Sequence, residues 1–131
     1  MSYEESLRSI TLEADSSIGI YTGPPGLPGS ASPHGGKQYH FVKVTGRNTA
    51  GLAGATDRVV GVLQNKPQQA GGAATIGIRG VTNVVAGEQI DAGEEVKPGA
   101  AGSAVVAAAG SGVGVALQDA ASGSLVPVLL V

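Results

Sequence analysis

The chain has 131 residues, a formal net charge of −2 at pH 7 and no cysteine, which excludes disulfide scaffolds and thiolate metal sites. No cluster of Lys or Arg stands out among its eight basic residues, so the electrostatic footprint of a nucleic-acid binder is missing. Alanine supplies 19 of the hydrophobic residues, against one Phe, three Tyr and no Trp, so a single domain with a modest core is expected, one that gains from an oligomer or a docking surface.

Met1–Ser17 lacks a basic segment followed by an apolar one, and no apolar run approaches the roughly 18 residues of a membrane span. The expectation is a soluble product that stays in the compartment where it is made. Ile10, Leu12 and Ala14 alternate with Thr11, Glu13 and Asp15, the period of a half-buried strand. Ile18, Ile20 and Tyr21 continue the extended run. Two readings fit: the first strand of the domain, or an extended arm laid on a partner, with backbone hydrogen bonds supplying affinity. Gly23–Gly36 holds four prolines and five glycines, which rules out a helix or an inner strand. His34 lies in this loop and His40 lies beyond it, with no metal constellation around the pair.

Tyr39–Thr45 is the aromatic-bearing strand and a core element. Arg47–Asp57 reads as a loop. Val59–Leu63 and Ala74–Val81 are two β-rich runs joined by a polar turn with Pro67 and Gly71-Gly72. A shorter copy, Val113–Val131, closes the chain; both copies carry a Gly-Val run ending in Gln (Gln64, Gln118), and together they suggest two hairpin-like units. Between them lie Thr82–Ala86, the acidic turn region Gly87–Gly99, and the small-residue run Ala100–Gly112, where Val105-Val106 favour strand. Leu125–Val131 is apolar enough to be buried in a sheet or an interface. The predicted class is all-β: a small β-barrel or sandwich of short strands.

Catalytic chemistry finds little purchase. Gly110–Gly114 is glycine-rich but is followed by no helical pattern that would bring a helix N-terminus to a phosphate. No Gly-x-Ser-x-Gly elbow occurs. Glu94 and Glu95 are adjacent, so on a strand they point to opposite faces. The cadence Ala86-Gly…Ile90…Ala92-Gly…Val96 is similar to the turns of lipoyl and biotinyl carrier domains, but Lys66 matches neither of their acceptor motifs. The expectation is no enzyme, no cofactor, no metal and no catalytic residue.

Val60-Gly-Val-Leu-Gln-Asn-Lys-Pro67, Ala86-Gly-Glu-Gln-Ile-Asp-Ala-Gly-Glu-Glu-Val96, Val113-Gly-Val-Ala-Leu117 and Ala121-Ser-Gly-Ser-Leu-Val-Pro-Val-Leu-Leu130 together resemble the capsid decoration (cement) proteins of tailed bacteriophages. The likeness runs over Val59–Val131; residues 1–50 are less typical. It implies a β-barrel, a non-enzymatic structural role, and a place on the exterior of the virion capsid after synthesis in the host cytoplasm. The implied partners are the major capsid protein, whose subunits such proteins bridge, and copies of the chain itself, commonly as a trimer; neither nucleic acid nor membrane is expected as a partner.

Combined with the residue pattern, this divides the chain into an arm and Pro/Gly-rich loop at 1–37 and a β domain at 38–131. Ile10, Leu12, Ala14, Ile18, Ile20 and Tyr21 of the arm, with Pro24, Pro25, Leu27 and Pro28 of the loop, are the expected capsid contacts. The arm is expected to be dispensable for folding and needed for capsid binding. Two other readings are a carbohydrate- or host-surface-binding module on the virion and a subunit of another β-rich assembly. Three Tyr and one Phe offer the first of these little to stack on.

Overall fold

The computed structural model describes residues 7–18, 37–67 and 69–130. Among them there is no helix. Nine strands form: β1 (Arg8–Ala14), β2 (Phe41–Gly46), β3 (Thr49–Leu52), β4 (Gly61–Leu63), β5 (Ala73–Val85), β6 (Glu95–Pro98), β7 (Ala104–Val106), β8 (Gly114–Ala116) and β9 (Leu125–Leu130). They make one mixed sheet in the order β1-β3-β2-β4-β5-β9-β8-β6-β7, and a further β1–β5 pairing closes the first five strands into a ring. The all-β expectation holds.

The long strand β5 organises the molecule. The sequence suggested two segments, Ala74–Val81 and Thr82–Ala86; they are one strand of 13 residues. Its first half pairs with β1 and β4, its second half with β9. Two hydrophobic clusters lie along it. One, inside the ring, gathers Ala14, Ile18, Val42, Ala50, Leu63, Ala74 and Ile76. The other includes Phe41, Val62, Val84, Ile90, Val96, Val126 and Val128.

Neighbouring residues on a strand face opposite ways. Phe41 and Val62 therefore belong to one cluster while Val42 and Leu63 belong to the other. At Phe41-Val42 and Val62-Leu63, β2 and β4 form a wall buried on both sides, which is why these stretches are apolar pairs rather than an alternation.

Both copies of the sequence repeat are antiparallel pairs, β4 with β5 and β8 with β9. Their shared Val-Gly-Val has a steric cause. A Cβ at Gly61 would run into the Gly77 carbonyl oxygen, and one at Gly114 would stand 2.8 Å from that of Leu129. A second repeat, offset by 30 residues, was not visible as a repeat in the sequence. Residues 86–96 and 116–126 exchange hydrogen bonds reciprocally about a local two-fold axis. Ile90 and Ala120 each donate to the other (2.9 and 2.8 Å), Gly93 donates to Ala116 (2.8 Å), and Gly123 donates to Ala86 (2.7 Å).

Residues 8–14, read either as a first strand or as an arm, are a strand of this sheet. Arg8–Glu13 pair antiparallel with β5, and Glu13 and Ala14 pair parallel with β3. A boundary at 37/38 thus separates β1 from strands to which it is hydrogen-bonded. Ile18 does not continue an extended run; it sits buried in a turn held by the Asp15 carboxylate, which accepts from the Ser17 N–H (2.8 Å) and hydroxyl.

Candidate docking surface

The face of β1 that carries the alternation deepens along the strand. Arg8 is exposed, Ile10 is 36% exposed, Leu12 is half-buried and Ala14 is buried. The expected contact residues therefore separate into two kinds. Ala14 and Ile18 are core residues, out of reach of a partner. Ile10 is surface, and Leu12 lies between. Ile20, Tyr21, Pro24, Pro25, Leu27 and Pro28 fall outside the described residues.

Of the four large exposed apolar side chains among the described residues, three lie on strands of the ring: Ile10, Val44 at 56% and Ile78 at 38%. Two hollows that share Val59 and Val60 in their lining lie beside Val44 and Ile78. One, of about 300 Å³, is lined by Val44, Arg58, Val59 and Val60; the other, of about 190 Å³, by Val59, Val60, Gly61, Ile78, Gly112, Val113 and Leu130. Sequence reasoning placed Val44 in a core strand and Ile78 in a β-rich run, and did not show that both surface. The signal was there in Val44 alone, which lies in the exposed second half of β2, approaching the turn at Arg47 and Asn48.

The charged residues of this side are arranged unevenly. Lys43 and Asp57 form a partly exposed ion pair of 2.8 Å, and the Gly54 N–H adds a second bond to the same carboxylate. The Lys43 hydrogen bond, helped by Gly54, holds the Asp57 carboxyl below its usual range. Arg8 and Arg79, by contrast, are in direct cross-strand register at a bulge that leaves Ile78 unmatched, and neither has an acidic partner among the described residues. Like charges placed opposite each other on a ladder repel.

The groups that chemistry would need are engaged elsewhere. Glu95 accepts from the Gly110 N–H (2.7 Å) and the Gly112 N–H (3.2 Å), so the glycine-rich stretch resembling a phosphate loop is filled by the chain's own carboxylate. Glu94 accepts from the Asp91 N–H, Glu88 from the Val106 N–H, and Asp119 from the Ala92 N–H, each at 2.8 Å. The acidic turn region is largely exposed, and its carboxylates also pin neighbouring loops. The side chain of His40 is half-buried and its Nδ1 lies 3.1 Å from the Gln38 carbonyl oxygen; burial lowers its pKa and favours the neutral ring. Among the described residues no three His, Asp or Glu side chains converge as a metal site.

No family model matches the sequence, and no curated protein matches it. The fold does have a solved counterpart. The crystal structure of the head fiber gp8.5 N base in bacteriophage phi29 superposes with a TM-score of 0.66 at 20% identity, covering 96% of this chain and 95% of that one. At that identity the likeness is one of fold.

Proposed function

We propose that this chain is a non-enzymatic structural protein of a tailed-phage particle that sits on the outside of the head and contacts the major capsid protein. The observation that carries the reading is the full-length likeness of fold to the base of a phage head fiber. The resemblance of the Val59–Val131 motifs to decoration proteins supports it independently, because it lies in the sequence and not in the fold. Exposed Val44 and Ile78, with half-buried Val60 between the hollows, supply a surface to dock with, and many copies on one shell would let each contact be weak. Self-association, as the trimer common among decoration proteins, belongs to the same proposal.

The test is to mix the purified chain with undecorated expanded heads and image them by electron microscopy. Extra density at regular positions on the shell is expected; bare heads at saturating protein would overturn the reading. A second reading is favoured by the same structural likeness, namely that the chain is an attachment base rather than a cement. The two differ in what they do to the head. A cement raises the temperature at which heads release their DNA, whereas a base occupies its sites and leaves that temperature unchanged.

A further inference from the structure

The β1 strand has one edge hydrogen-bonded to its own sheet along its whole length and another that is not. Ala14 exchanges bonds with Gly71 and Gly72 on the β5 side, at 2.8 Å each, while the Glu13 N–H turns the other way, to the Asn48 carbonyl (2.7 Å). Strand alternation carries this parity back down β1. Thr11 and Ser9 therefore direct their N–H and C=O groups away from β5. Thr75, opposite Thr11, agrees: its carbonyl accepts from Gln64 (2.7 Å) and its N–H donates to Asn65 Oδ1 (2.9 Å), both away from β1. Pairing with β3 begins only at Glu13, so among the described residues nothing bonds the outer edge of Ser9–Leu12.

Beside this edge sit two cations that have no acidic partner among the described residues. Arg8 and Arg79 share a face with exposed Ile10, and an added strand would place one residue directly opposite Arg8, within reach of both guanidiniums. Two other margins of the sheet, at β3 and β7, are capped. Ser17 Oγ accepts from the Leu52 N–H on β3 (2.8 Å), and the outer edge of β7 is taken by Gly87 and by the Glu88 carboxylate.

We infer that β1 accepts an extended, carboxylate-bearing segment of the shell protein as an added strand, with Ser9 and Thr11 supplying backbone bonds and Arg8 with Arg79 selecting the acid. This rests on the proposed place of the chain on the head and names the edge and the chemistry of the contact. It reverses the roles expected from sequence: β1 stays in its own sheet and receives a strand.

The experiment compares full-length wild type, Thr11→Pro, Thr11→Ala and the double variant Arg8→Glu/Arg79→Glu for binding to undecorated expanded heads. Proline at position 11 removes only an outward N–H, so the fold is kept, as circular dichroism and melting verify, while strand addition is blocked. Occupancy at limiting protein should fall about tenfold for Thr11→Pro and for the charge reversal, stay unchanged for Thr11→Ala, and fall for wild type as salt is raised. Should Thr11→Pro misfold, the double variant decides alone, since both its side chains are exposed. If wild type coats heads and both variants coat them equally, the strand-acceptor inference is overturned while the place on the head stands. If wild type leaves heads bare, both fall.

Discussion

The two halves of the sheet solve different problems. The half built from the end of β5 through β9 is nearly self-similar, with two eleven-residue units bonded reciprocally and carboxylates from Glu88, Glu94, Glu95 and Asp119 pinning its loops. The ring half closes only because β1 joins β5 and β3, and it carries the exposed isoleucines, borders the hollows at Val59 and Val60, and bears two arginines with no acidic partner among the described residues. Regularity and satisfied polar groups go with scaffold; irregularity and unspent contacts go with the surface that meets a partner. In this chain the division falls within one sheet rather than between domains.

The largest effect should come from removing the strand on which the ring depends. Deleting residues 1–17 strips β5 of its β1 partner and the inner cluster of Ala14, and should abolish cooperative melting, contrary to the dispensable arm expected from the sequence. If the truncated chain melts like the intact one, the ring is not a unit. Phe41→Ala empties the wall between the halves and is expected to cost about 3–5 kcal/mol in chemical denaturation.

Smaller changes sharpen the contrast. Gly93 and Gly123 occupy equivalent turns with φ of +88° and +87° and open space around them, so alanine at either should cost about 1–2 kcal/mol. Equal losses would show that the two units bear load equally; a large inequality would break the symmetry argument. Glu95→Gln weakens two bonds at an accessible site and should cost about 1 kcal/mol, read as faster amide exchange at Gly110 and Gly112.

The smallest effect is on acid stability, at the Asp15 turn. Burial raises this carboxyl's pKa, but the bonds from Ser17, Thr45 and Ile18 outweigh it, leaving the folded value below 3.8. A depressed folded pKa contributes stability above the unfolded value and loses it as pH falls through the folded one. Asp15→Asn should therefore flatten the decline of melting temperature below about pH 4, and an unaltered decline would remove the turn from the account.

Much of the fold was legible before any coordinates. The alternation at Ile10–Ala14 and the apolar end at Leu125–Leu130 both mark strands, because period and apolar composition are local properties. Less legible was depth. Ile10 and Ala14 look alike in an alternating pattern, yet only the ring's geometry decides that one surfaces and the other is sealed. Nor does any local rule announce that Glu95 reaches across to residues 110 and 112, or that Arg8 will stand opposite Arg79; both depend on pairings distant in sequence. The docking surface lay mostly in that second category.

No linker separates the two hydrophobic clusters, because β5 runs through both as one length of backbone. A tug on either end is met at once by every bond along that shared rod, with nowhere for slack to collect. Such a molecule behaves as a rivet rather than a tether, and whatever it grips at one end fixes how the other end is aimed.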